Sequence, residues 1–74
     1  MEENKKVYEI LYGRENHNTE YCRGWFLYEH KIYFEYEETY TRMVELKEQF
    51  PDRVWAIREV TYLSLDPGVI KAKI

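Results

Sequence analysis

The sequence contains little that could fix a fold covalently or mark sharp turns. Its 74 residues include a single cysteine, Cys22, so no disulfide can form within them. This indicates a reducing compartment or a thiol without a role, and we place the protein in the cytoplasm. Only three glycines and two prolines are present. The glycines are too scattered along the chain to form a phosphate-binding loop.

Long apolar runs and an excess of basic charge are also missing. No window approaches the roughly 20 apolar residues that a membrane-spanning helix requires, and no signal-peptide run follows the opening MEENKK. We therefore expect a soluble protein without a membrane partner. The net charge is −3. This balance argues against a surface that binds nucleic acid through general electrostatic attraction.

Aromatic residues are abundant instead. They make up 18% of the chain, including eight tyrosines, and 45% of all residues are hydrophobic. Such a composition predicts a folded chain, which we interpret as one domain over residues 1–74 with flexible ends at 1–5 and 66–74. A chain this short buries only about 60% of its unfolded surface, so a partner or a homodimer would stabilise it.

The clearest predicted element is a helix over residues 35–50, with the sequence EYEETYTRMVELKEQF. At about 100° per residue, its apolar side chains fall on one stripe. The stripe contains Tyr36, Thr39, Tyr40, Met43, Leu46 and Phe50. Pro51 disfavours helical geometry at the preceding residue and ends the helix.

Strands are predicted over residues 7–12 and 54–63, where β-branched and aromatic residues are frequent. Residues 25–28 and 32–34 predict a hairpin around 29–31, or one long bent strand over 25–34. The alternation in VIKAKI predicts an edge strand or an untethered tail.

These elements predict an α+β fold in the order β-β-β-α-β. A single helix would pack on a three- to four-stranded, mainly antiparallel sheet. In the first strand we expect Tyr8, Ile10 and Tyr12 to face the core. The longest strand, 54–63, is apolar on both faces, which indicates a central strand or one bulged near Arg58 and Glu59. One helix covers one face, so we expect the other face of the sheet to be open.

Residues suited to catalysis or metal binding do not form a recognisable pattern. His17, Cys22 and His30 are separated by five and eight positions, unlike the short paired spacings of structural zinc sites. Neither histidine lies in a segment that predicts a pocket. We therefore expect neither enzymatic activity nor a metal or other cofactor.

The aromatic and acidic residues are the best candidates for contacts with another protein. More aromatic rings are present than one small core layer can hold, and interfaces favour such side chains. An acidic helix surface can also occupy a basic groove, although an ordinary solvated helix face is the simpler interpretation. The candidate contact residues are Tyr21, Trp25, Tyr28, Tyr33, Glu37, Glu38, Glu45, Glu48, Trp55 and Tyr62.

Nucleic-acid binding is the alternative function. Aromatic side chains on a small sheet can stack on bases while arginine and lysine contact phosphates. The basic candidates are Arg14, Arg23, Lys31, Arg53 and Arg58. Most of them are interspersed with acidic residues, which weakens the local positive potential.

The segment from Gly24 to Leu63 reads GWFLYEHKIYFEYEETYTRMVELKEQFPDRVWAIREVTYL. The segment has strands, then a helix that begins with YEE, and a last strand after PDR. In this order it resembles the small accessory proteins of bacteriophages and other mobile elements. That broad type includes anti-CRISPRs, other anti-defence proteins and inhibitors of host enzymes. The resemblance implies a non-catalytic inhibitor or adaptor that binds and blocks a host protein. It assigns no role to any single residue.

Overall fold

Four antiparallel strands and one helix form the fold. The computed structural model describes residues 5–13, 25–61 and 68–74. Their elements in chain order are β1 (Lys6–Gly13), β2 (Phe26–Tyr33), α1 (Tyr36–Gln49), β3 (Val54–Thr61) and β4 (Val69–Lys73). The strands lie in one sheet in the order β2-β1-β3-β4. The predicted α+β class, with one helix on an antiparallel sheet, is confirmed.

Strand β2 is one bulged strand, so the predicted hairpin is wrong and the alternative of a long bent strand is confirmed. Both of its halves pair with β1, through Leu27 with Leu11 and Ile32 with Glu9. Between them the backbone adopts positive φ at Glu29 (60°) and His30 (52°). This segment lacks the Asn-Gly or Asp-Gly sequence that favours a tight two-residue reversal. The chain accommodates the extra residues as a bulge and continues in the same direction.

The prediction of an edge strand in VIKAKI is confirmed by β4, so these residues do not form a free tail. The backbone N–H groups of Trp55 and Ile74 each donate to the carbonyl of the other residue at 2.8 Å. The partner strand β3 is central, as its two apolar faces predicted. Its pairing with β4 is irregular between Ile57 and Arg58, the region where the sequence allowed a bulge.

The main core lies between α1 and one face of the sheet. The helix contributes Thr39, Met43 and Leu46, all fully buried. The sheet contributes Ile10, Tyr33, Trp55 and Ile57. Tyr8 and Tyr12 pack against the same cluster, so the predicted core face of β1 is confirmed.

The opposite face of the sheet also buries apolar side chains. Leu11 pairs directly with Ala56, and Gly13 with Val54, on the face away from the helix. Leu11 and Ala56 are almost completely buried, as are Val7 and Val54 on the same face. The prediction of an open second face is therefore wrong at the centre of the sheet.

Candidate interaction surface

Two of the predicted contact aromatics are core residues. Trp55 is 0% exposed and Tyr33 is 6% exposed. The indole of Trp55 lies 5.3 Å from the Tyr28 ring and 5.6 Å from the Tyr12 ring, between ring centroids. Its Nε1 donates a hydrogen bond to the Phe50 carbonyl at 3.3 Å. These contacts place Trp55 at the centre of an aromatic cluster, so neither Trp55 nor Tyr33 is a surface residue.

The other predicted aromatics have different positions. Trp25 and Tyr28 are half-buried on or beside β2. Tyr28 joins the Trp55 cluster through edge-to-face contacts. Tyr21 and Tyr62 lie outside the described residues.

The four predicted acidic residues are exposed on the side of α1 opposite Met43. On a helical projection they fall within an arc of about 100°, with Glu37 and Glu48 on one flank of that arc and Glu38 and Glu45 on the other. The second flank borders a shallow groove of about 370 Å³ that is lined by Lys31, Tyr33, Glu38, Thr41, Arg42 and Glu45. Arg42 Nη1 lies 3.3 Å from Glu45 Oε1. The two basic and two acidic groups of this groove offset each other's potential.

Exposed aromatic rings are concentrated at the start of α1. We use the name tyrosine surface for Tyr8, Phe34, Tyr36 and Tyr40. The Tyr36 ring meets the Tyr8 ring edge-on at 5.7 Å and stacks with the Tyr40 ring at 6.2 Å, between centroids. Phe34 is 66% exposed, Tyr40 40% and Tyr36 36%. The tyrosine rings are thus fixed against one another while much of their apolar area remains in water.

The local sequence explains why these rings are exposed. Tyr36 and Tyr40 belong to the predicted apolar stripe, but the members that are fully buried are Thr39, Met43 and Leu46. The Tyr8 ring stands between the sheet and the first helical turn, so Tyr36 rests on it. Phe34 lies between the end of β2 and the start of α1. Phe34, Tyr36 and Tyr40 were not among the contact residues predicted from the sequence.

Two carboxylates, those of Glu59 and Glu37, lie beside the tyrosine surface. Burial raises the pKa of the Tyr8 phenol, and the charge of Glu59 and a hydrogen bond with it raise that pKa further. Glu59 pairs with Tyr8 across the sheet, and Lys6 Nζ lies 3.7 Å from Glu59 Oε1. The exposed Glu37 follows Tyr36 directly. The surface therefore combines aromatic area with carboxylates at its edge.

A second feature, which we call the arginine cleft, lies where β1, β2 and the turn after α1 meet. It is a cavity of about 310 Å³ lined by Tyr12, Gly13, Phe26, Asp52 and Arg53. The guanidinium carbon of Arg53 lies 4.9 Å from the Tyr12 ring centroid and 4.8 Å from that of Phe50. The Phe26 ring is 58% exposed and lies 5.5 Å from the Tyr12 ring.

Metal-ligating side chains are not clustered in the part of the chain that the structure describes. Within it, no group of three or more His, Cys, Asp or Glu side chains could hold a metal ion. His30 is exposed in the bulge of β2. His17 and Cys22 lie outside the described residues. No helix in the described ranges is long and apolar enough to cross a membrane.

Comparison with known proteins identifies no relative. No family model matches the sequence, and no curated protein and no solved structure matches the chain.

Proposed function

We propose that this protein is a small, non-catalytic interaction module that binds a larger protein through the tyrosine surface. The observation that carries the proposal is the contact between Tyr8, Tyr36 and Tyr40, whose rings support one another at 5.7 and 6.2 Å. Tyrosine side chains offer a large contact area and have few rotatable bonds, so little conformational entropy is lost when they are covered. Arrangements of this kind often provide the central contacts of protein interfaces.

The position of Phe34 adds to this argument. Its ring is two-thirds exposed and precedes the first helical turn. Exposed apolar area of this kind on a small domain often marks a binding surface. Covering these side chains would also stabilise a domain that has only a small core.

We further propose that the partner is a host protein and that binding blocks it, in the cytoplasm of a bacterial cell. The resemblance of residues 24–63 to small phage and mobile-element proteins supports this finer proposal. A nucleic-acid-handling or defence enzyme is the expected target. The exposed carboxylate of Glu37 beside the tyrosine surface suits a basic partner surface of the kind such enzymes present.

Affinity capture from a bacterial lysate tests the proposal. The wild-type chain is compared with the double variant Tyr36→Ser, Tyr40→Ser, each with and without nuclease treatment. The matched control is Phe26→Ser, which removes an exposed ring at the other end of the sheet. We expect the wild type and the control to retain the same protein after nuclease treatment, and the double variant to lose it.

Two results would contradict the proposal. One is equal retention of the same protein by the folded double variant. The other is retention that disappears with nuclease treatment, which would indicate nucleic-acid binding. When a retained protein is identified, titration of the purified chain against its activity distinguishes an inhibitor from an adaptor.

A homodimer is an alternative use of the same surface. The mass of the purified protein in solution, measured by light scattering over a range of concentrations, distinguishes it from the hetero-complex. If the surface joins two copies, Tyr36→Ser with Tyr40→Ser converts a dimer into a monomer.

Nucleic-acid binding is the second candidate function, and one observation favours it. Arg53 lies over the Tyr12 ring beside the exposed ring of Phe26, which combines a phosphate-binding group with an aromatic stacking surface. An affinity for single-stranded DNA that falls steeply with salt and is lost in Arg53→Gln would support this function.

A further inference from the structure

The side chain of Arg53 has a fixed position but unused hydrogen-bonding capacity. Its guanidinium packs on the rings of Tyr12 and Phe50 at 4.9 and 4.8 Å. Among the described residues, this guanidinium makes no hydrogen bond and no ion pair. A guanidinium has five N–H donors in its plane, and stacking on rings leaves them available. The half-buried Arg53 therefore presents donors without acceptors to the arginine cleft.

The rest of the cleft suits a flat ligand. Phe26 exposes more than half of its ring and meets the Tyr12 ring at an angle of 30°. Gly13 has no side chain and lies in the cavity wall. The cavity volume of about 310 Å³ lies at the lower end of the range for small-molecule sites. An aromatic ring can stack on Phe26 while an anionic group accepts hydrogen bonds from Arg53.

We propose that the arginine cleft binds a planar aromatic ring that carries an anionic group, of the size of a single nucleotide. Arg53 contacts the phosphate or carboxylate, and Phe26 stacks on the ring. This proposal does not depend on the tyrosine surface, because Phe26 and Arg53 lie at the opposite end of the sheet from Tyr8. The ligand chemistry is shared by a free mononucleotide and by one nucleotide of a single strand.

Asp52 makes the proposal more specific. It lines the same cavity and is exposed. Its carboxylate repels a nearby anion, but it also accepts hydrogen bonds from ring N–H groups, as a nucleobase edge provides. We therefore expect Asp52→Asn to change the preference among bases without abolishing binding.

Titrations followed by amide NMR shifts test this proposal on the full chain. The probes are adenosine 5′-monophosphate, adenosine, inorganic phosphate and a short single-stranded oligonucleotide. We expect the monophosphate to shift the amides of Gly13, Phe26 and Arg53 in a saturable manner. Adenosine and phosphate should each bind at least about tenfold more weakly, since each lacks one of the two contacts. Oligonucleotide binding that is tighter at the same amides identifies a nucleic-acid strand as the source of the ligand.

Variants connect the shifts to the proposed contacts. Arg53→Gln should weaken monophosphate binding about tenfold or more, and Arg53→Lys should restore it only partly because lysine cannot form a paired contact. The control Arg42→Gln removes the same charge from the other groove and should leave the affinity unchanged. Phe26→Ala, at an exposed position, provides a second variant that is expected to fold and should also weaken binding.

Three results would overturn the proposal. The first is the absence of saturable shifts at these amides up to millimolar monophosphate. The second is unchanged affinity in folded Arg53→Gln. The third is binding of inorganic phosphate as tightly as the monophosphate, which would show a simple anion site without ring recognition.

Discussion

Replacement of Trp55 by alanine provides the most demanding test of the core. The indole is fully buried and lies 5.3 to 6.0 Å from the rings of Tyr12, Tyr28 and Phe50. Its Nε1–H also bonds to the Phe50 carbonyl. Removal of a buried tryptophan typically costs ~3–5 kcal/mol. Each aromatic pair contributes ~0.5–1.5 kcal/mol beyond its buried area, so we expect a loss near the upper end.

That loss is large compared with the whole stability of the domain. At ~0.05–0.15 kcal/mol per residue, a chain of 74 residues has about 4–11 kcal/mol in total. We therefore expect Trp55→Ala to be partly or fully unfolded at room temperature, and Trp55→Phe to lose less because it keeps a ring in the cluster.

Urea denaturation followed by far-ultraviolet circular dichroism measures this difference. The matched control is Phe34→Ala, which removes a ring that is 66% exposed and should change the free energy of unfolding by less than ~0.5 kcal/mol. A loss below ~1 kcal/mol for Trp55→Ala would refute the central position of this side chain in the core.

Three further predictions follow from single contacts. The Thr39 hydroxyl donates to the Glu35 carbonyl at 2.7 Å in a buried site, so Thr39→Val should lose ~1 kcal/mol of unfolding free energy while Thr39→Ser keeps most of it. Gly68 has a φ of 91°, and an added Cβ would lie 2.5 Å from a methyl carbon of Val60. Gly68→Ala should therefore lower the midpoint of thermal unfolding. A midpoint that is unchanged within error would contradict this geometry. Because the pKa of the Tyr8 phenol is raised in the folded state, its contribution to stability is present below pH ~10 and is lost as the pH rises above that value. The loss of stability at alkaline pH should be smaller in Tyr8→Phe, and an identical pH profile would contradict this assignment.

Local patterns predicted the elements of the fold well. The 3.6-residue period predicted α1, and alternation predicted that the five residues of β4 form an edge strand or a tail, of which the edge strand is correct. The bulge in β2 was not predicted, since Glu29 and His30 adopt positive φ without a glycine to indicate it. Both halves of β2 add to the same edge of β1, and this long-range pairing leaves no local mark in the sequence.

The candidate site was harder to predict than the fold. Periodicity indicates which face of a helix is apolar but not how far the sheet extends beneath it. Tyr36 and Tyr40 are in phase with Met43 yet remain exposed, since the Tyr36 ring rests on the Tyr8 ring and the Tyr40 ring stacks with that of Tyr36. The prediction for Trp55 was wrong in the opposite direction, because a residue predicted to contact a partner is fully buried. An aromatic residue on a strand of mixed faces can be exposed or central, and only the register between β1 and β3 places it in the core.

Photo-crosslinking at two exposed positions tests the proposed function most directly. A photoreactive residue replaces Phe34 in one variant and Phe26 in the other, since both rings are more than half exposed and they lie at opposite ends of the sheet. In bacterial lysate treated with nuclease, we predict a discrete protein adduct from position 34 and none from position 26. Adducts from both positions alike, or none from position 34, would contradict an interaction through the tyrosine surface.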